Sequence, residues 1–200
     1  LIFTGKQKVE QTKFSLLLYN PAKAVETIID STHPFQPDIS ELAWYDIRGI
    51  HDIAIIEQIG KAFNVHPLVL EDVLDSSQRP KFEEYDNGIF LIVEALSFHQ
   101  DTQIIQTEQV SIFFGKGLLI SFQEDNTDLF EPVRARILGA KGKIRSRGSD
   151  YLAYALVDNI VDYYFVILDK IDEEINRMEE EILYNPGNQI KSAIHQLKRE

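Results

Sequence analysis

Hydrophobic positions along this chain first follow the spacing of strands and short helices, and from Asp150 onward that of one long helix. Lys13–Tyr19 (KFSLLLY) carries the continuous apolar run of a buried strand. Asn20-Pro21 then reads as a helix start, with Asn as cap and Pro at the first position. His33-Pro34-Phe35-Gln36-Pro37 breaks that helix, Leu42–Ile47 (LAWYDI) is the next strand, and Asp52 is placed to cap a helix through Phe63. His66-Pro67 opens a short helix with Leu68, Leu70, Val73 and Leu74 on its apolar side, and Ser76–Pro80 turns the chain. Three strands follow: Gly88–Phe98, Glu108–Phe114 and Leu118–Gln123. The short turn Gly115-Lys116-Gly117 between the last two makes the group an antiparallel meander. Thr127 or Asp128 is positioned to cap a helix over Leu129–Leu138, followed by a glycine- and base-rich loop, Gly139–Gly148.

Beyond Asp150 the apolar residues Ile160, Tyr164, Leu168, Ile171, Ile175, Met178 and Ile182 recur at steps of three and four, as along a coiled-coil seam. Asn185-Pro186-Gly187 stops this helix, and Ile190, Ala193, Ile194 and Leu197 line one face of a second. The expected organisation is a layered α/β domain over 1–148 and a helical hairpin over 149–200.

Composition narrows the reading in three ways. Hydrophobic residues are 44% and charged residues 26% of the 200, ordinary for a chain that folds around a core. The longest continuous apolar runs, Ile89–Val93 and Gly117–Phe122, are strand-length, so no transmembrane span is expected. A formal charge of −12 argues against nucleic acid and anionic lipid and favours cations and basic partners. The chain has no cysteine, which excludes disulfides and zinc-thiolate sites and suits a reducing compartment. Both ends are expected to be cut: no Met or leader opens the chain, and Lys198-Arg199-Glu200 stops within a helical pattern.

Candidate chemistry is carboxylate chemistry. Between Asp158 and Glu181 nine acids face two bases, Lys170 and Arg177. Asp158 and Asp162 stand four apart on one helix face, where they repel by a few tenths of a kcal/mol unless a cation intervenes. Glu71 and Asp72 are adjacent on the short Pro67 helix and offer the hard oxygen ligands Mg²⁺ prefers. Because Mg²⁺ keeps several of its waters, one or two carboxylates per site suffice. The bland reading of each group is a solvated acidic helix face or a capping role. His33, His51, His66, His99 and His195 show no ligand spacing. Nucleophile elbow, Walker loop and dinucleotide fingerprint are all missing, so no catalytic residue is assigned. Lys141, Lys143, Arg145 and Arg147 alternate without interleaved aromatics and read as a connecting loop, not a nucleic-acid patch.

The block HPLVLEDVLDSSQRPKFEEYDNGIFLIV, from His66 to Val93, resembles the signature of the CorA family of divalent-cation transporters. YDIRGIHDIAIIEQIGKAFNVHPLVLEDVL, EQVSIFF, FEPVRARI, DYLAYALVDNIVDYYFVILDKIDEEI and HQLKR fall in that family's order, so the resemblance covers nearly the whole chain. It implies a non-enzymatic role: the cytosolic Mg²⁺-sensing and gating domain of an inner- or plasma-membrane transporter of Mg²⁺, with Co²⁺ and Ni²⁺ as further cargo. The implied fold is an α/β/α sandwich with a mixed, largely antiparallel sheet, followed by a long acidic helical hairpin. The conducting Gly-Met-Asn motif, the membrane helices and the full stalk helix would lie beyond Glu200. By matching residues, the resemblance assigns a regulatory metal site to Glu71, Asp72 and Asp158, shared between subunits of a homopentamer. The alternatives are the soluble domain of a related zinc transporter and a stand-alone acidic interaction module.

Overall fold

The structure is a computed structural model that describes residues 1–29, 41–99 and 104–184. Its contacts divide it into two units, one comprising Leu1–Ala95 with Glu108–Asn159, the other Leu96–Thr107 with Ile160–Glu200.

Seven strands form one sheet: β1 (Lys13–Tyr19), β2 (Ala24–Ile29), β3 (Leu42–Arg48), β4 (Lys81–Tyr85), β5 (Gly88–His99), β6 (Ile104–Gly115) and β7 (Leu118–Gln123). The order is β2-β1-β3-β7-β6-β5-β4, with β3 and β7 parallel and joining two antiparallel groups. Alternation along β3 explains how one strand serves two faces. Ala43, Tyr45 and Ile47 point into a core with Phe14, Phe90, Phe113, Ile120 and Phe122. Helices α1 (Ile53–Phe63) and α2 (Pro67–Leu74) close that core with Ile56, Ile59, Val69, Val73 and Leu74, all fully buried. On the other face, Trp44 meets Phe130 edge-on at 6.0 Å, beside α3 (Glu131–Leu138), and Leu152, Ala155 and Leu156 of α4 (Ser149–Tyr184) are buried in the same unit. The α/β/α sandwich with a mixed sheet is thus the fold of this chain.

The helix expected after Asn20-Pro21 is a strand instead. The Asn20 side chain accepts from the Ala22 and Lys23 backbone N–H groups, and Asn20 N–H donates to the Lys23 carbonyl, closing a tight turn. The same Asn-Pro signature serves both starts, and the β-branched Val25, Thr27, Ile28 and Ile29 favour the hairpin, in which Phe14 faces Ile29 and Tyr19 faces Ala24. Strand β4 was not read from the sequence, because its alternating Lys-Phe-Glu-Glu-Tyr carries no buried position.

Asp52 caps α1 as expected, accepting from Ala54 and Ile55 N–H. Neither Asp128 nor Thr127 caps α3, which starts without a side-chain cap, because the Asp128 carboxylate is held by Arg48 and Arg134 at 2.7 Å. In the 139–148 loop, Arg145 donates to the carbonyls of Ile137 and Leu138 and so satisfies the C-terminal end of α3.

Helix α4 has the length and composition to cross a membrane over Ser149–Glu180, although no continuous apolar run in it reaches that length. Within residues 149–159, Leu152, Ala153, Ala155 and Leu156 are buried and Asn159 donates to the Leu129 carbonyl, the arrangement of a core helix. In the second unit Ile160, Ile167 and Met178 are buried, while Leu168 and Ile175 of the expected seam are exposed. The Asn185-Pro186-Gly187 turn, the second hairpin arm, and His33 and His195 lie outside the described residues.

Candidate metal site

Helix α2 owes its position to its first residues. His66 Nδ1 accepts from Leu68 N–H at 3.2 Å, Pro67 fixes the first helical φ, and the His66 ring lies 5.3 Å from Tyr85. Burial of Val69, Leu70, Val73 and Leu74 then turns the opposite side outward. Glu71 is exposed there, and the Asp72 side chain keeps 17% of its accessible surface.

Asp72 does not face solvent alone. Lys81 Nζ donates to its Oδ2 at 2.5 Å and to Glu83 Oε1 at 3.2 Å, and Tyr85 Oη donates to Glu83 Oε2 at 2.7 Å. Burial works against the Lys81 ammonium, but hydrogen bonds and attraction from Asp72 and Glu83 outweigh it and raise its pKa. The Tyr85 hydroxyl and the Lys81 ammonium hold Glu83 below its ordinary value against a smaller burial effect. Burial, then Glu83, pushes Tyr85 up to about 12. Gln109 Nε2 donates to the Asp72 carbonyl at 3.1 Å, fixing the end of α2 to β6. One turn on, Asp75 gathers Thr4, Ser77 and Gln78, and the Ser77 and Thr4 hydrogen bonds lower its pKa to about 2. The Gln78–Lys81 segment therefore shapes the surroundings of Asp72.

Asp158 lies on α4, half-buried, and accepts from the Tyr154 hydroxyl at 3.3 Å. Among the described residues no three His, Asp or Glu side chains converge so as to hold a metal ion, and Glu71, Asp72 and Asp158 form no such group. Their oxygen donors nonetheless fit Mg²⁺, which needs few protein ligands.

A second charged cluster escaped the sequence reading. Asp46, 2% exposed, binds Arg134 Nη2 at 2.7 Å, Arg48 Nη2 at 2.8 Å and the Ser121 hydroxyl at 2.8 Å. Burial disfavours the Arg134 charge, yet Asp46, Asp128 and Glu26 overcompensate and raise its pKa. An acid in the middle of the apolar strand LAWYDIR was the available signal, since a charge there requires a partner. Asp46, Arg48 and Asp128 also line a cleft of about 700 Å³ with Glu26, His51 and Asp52.

The geometry defines a layered α/β unit with acidic helix surfaces, and sequence comparison gives the class of protein it belongs to, a divalent-cation transporter family. Residues 40–200 match the family described as CorA-like Mg²⁺ transporter protein, and the chain belongs to that family. The cobalt/magnesium transport protein CorA of Thermotoga maritima is 39% identical over 203 residues, covering all of this chain and 57% of that protein. The chain thus spans little more than half of that relative's length. Among solved structures, the soluble domain of CorA from Methanocaldococcus jannaschii superposes with a TM-score of 0.66 at 20% identity, covering 94% of this chain and 70% of that one. The ZntB cytoplasmic domain from Vibrio parahaemolyticus gives 0.61 at 19% identity, covering 82% and 65%. These structural likenesses establish the fold. The family is one of transporters, not of enzymes.

Proposed function

We propose that this chain is the cytoplasmic Mg²⁺-sensing and gating part of a membrane transporter for Mg²⁺, with Co²⁺ as a second cargo, acting as a homopentamer. In this reading Mg²⁺ joins Glu71 and Asp72 of one subunit to carboxylates of the next, Asp158 among them, and holds the closed state. Low Mg²⁺ leaves like charges facing each other, and their repulsion loosens the ring. Each ion biases gating only by its difference in affinity between the two states.

The observation that carries this reading is the adjacent acidic pair on the outward side of α2, an exposed Glu71 beside a partly exposed Asp72, in a chain that belongs to the CorA-like Mg²⁺ transporter family. In this reading a second copy supplies the further carboxylates. The identity to a cobalt/magnesium transport protein supports the choice of cargo. The ZntB likeness is one of fold and carries no argument for zinc.

Thermal unfolding of the chain with and without millimolar Mg²⁺ tests the reading, since a ligand of the native state raises Tm by mass action. Wild type is expected to gain several degrees, and Asp72→Asn and Asp158→Asn to lose most of that gain. Equal gains in all three would remove these residues from the site. In the whole transporter, Asp72→Asn is expected to weaken inhibition of transport by internal Mg²⁺.

A further inference from the structure

Helix α2 ends at Leu74, so the carbonyls of Asp72 and Leu74 have no helical N–H to accept from. Both find donors far away in the sequence: Leu74 from the Thr4 N–H at 3.1 Å, and Asp72 from Gln109 Nε2 at 3.1 Å. Thr4 Oγ1 also donates to Asp75 Oδ1 at 2.8 Å, just past the helix.

Packing alone does not explain Gln109. On β6 it shares a face with Ser111 and Phe113, and Phe113 belongs to the apolar core that α1 and α2 close. Only 8% of Gln109 is exposed. A carbonyl oxygen can only accept, so the amide turns Nε2 toward Asp72, with a longer contact from Nε2 to Ser111 Oγ at 3.4 Å. Its Oε1 is thereby buried without a partner among the described residues. An orphaned acceptor destabilises a fold. An apolar side chain at this position would avoid that penalty, so what the glutamine adds is the bond to Asp72.

We propose that Gln109 is a positioning residue for Asp72, holding the aspartate in place through its carbonyl while the carboxylate trades Lys81 for Mg²⁺. This role rests on the Mg²⁺ reading above. Asp72 is gripped at both ends, its carboxylate by Lys81 of β4 at 2.5 Å and its carbonyl by Gln109 of β6. The ion competes for the first grip and leaves the second untouched. Only χ1 and χ2 separate the carboxylate from the backbone, so a fixed backbone keeps it close to one position. Without the amide, the end of an eight-residue helix is free to fray, and the ion must order it on binding, which weakens affinity. Glu71 has no such dependence, because its carbonyl accepts locally from the Asp75 N–H at 3.0 Å.

Calorimetric titration of the chain with MgCl₂ tests the role. Gln109→Leu is expected to weaken Mg²⁺ binding about tenfold, the scale on which loss of a bond that orients a metal ligand acts. Ile112→Val, which thins the opposite, fully buried face of the same strand, is the stability control and is expected to bind as wild type does. Wild-type affinity in Gln109→Leu, with binding lost in Asp72→Asn, would overturn the positioning role and leave the Mg²⁺ reading standing. Equal weakening in Ile112→Val would also overturn it, since general loosening then accounts for the effect. Equal affinity in wild type and Asp72→Asn, or binding by neither, would remove Asp72 from the ion and this role with it. Nitrogen-15 NMR of the wild-type Gln109 side-chain amide gives a reading that does not rely on a variant's folding. The amide is expected to stay protected from exchange with water at saturating MgCl₂, and loss of that protection refutes the role.

Discussion

Lys81 Nζ lies 2.5 Å from Asp72 Oδ2, so the aspartate central to the metal reading already has a cation of its own. The two side chains keep 25% and 17% of their accessible surface, which makes the pair partly screened by water. Any Mg²⁺ at Asp72 therefore competes with an ammonium or displaces it.

Replacing that ammonium should strengthen ion binding. Lys81→Gln removes a competitor worth about 1 kcal/mol and is expected to tighten Mg²⁺ binding about fivefold, read by isothermal titration calorimetry. Affinity that stays the same or weakens would mean that Mg²⁺ does not use the Asp72 carboxylate.

Gly60 sets how closely α1 approaches α2. An added Cβ would press on the Leu70 side chain, with Cδ1 in overlap and Cγ at 3.3 Å, and Leu70 is only 6% exposed. An alanine in a helix ordinarily gains about 1 kcal/mol over glycine, while overpacking a core costs about 1–3. Gly60→Ala is expected to lose about 1 kcal/mol in urea unfolding and to shift α2 with its acidic pair. A variant as stable as wild type would show that Leu70 has room to turn.

Arg134 neutralises an otherwise buried acid. Arg134→Met strips Asp46 of one of two guanidinium partners and is expected to cost about 3–5 kcal/mol. Arg134 also lies 5.2 Å from the centre of the Trp44 ring, so emission from the chain's single tryptophan should change in the folded variant. A loss below about 1 kcal/mol would mean that Arg48 and Ser121 alone satisfy Asp46.

Asp75 ties the N-terminal arm to the end of α2 through Thr4, and its pKa is lowered to about 2, chiefly by Ser77 and Thr4. A lowered carboxyl pKa adds stability that is present above the ordinary value, about 4, and fades as pH falls toward 2. Wild type should therefore lose more Tm between pH 5 and pH 2 than Asp75→Asn does. Parallel acid profiles would rule out a contribution from Asp75.

Local signals were the legible part of the sequence. Asp52, His66-Pro67 and the Gly115–Gly117 turn each specify structure within three or four residues, and the structure follows them. Asn20-Pro21 misled because a cap and an Asx turn use the same side-chain oxygen, and only pairing with β1 decides between them. The partner of Asp72 was hidden for a related reason. Lys81 is nine residues away, across a turn and on a strand without a buried face.

The parallel pairing of β3 with β7 fixes an order of assembly. Ala43 pairs with Leu118 and Arg48 with Gln123, so the seam joins residues about 75 positions apart, whereas β1–β2 and β6–β7 close across short turns. On a ribosome, β3 waits with one edge unpaired until residue 123 has been made and released, because loop closure over that distance must precede any gain from the seam. An unpaired apolar edge held open that long is a template for another nascent chain, so chaperone demand during synthesis should peak before β7 emerges.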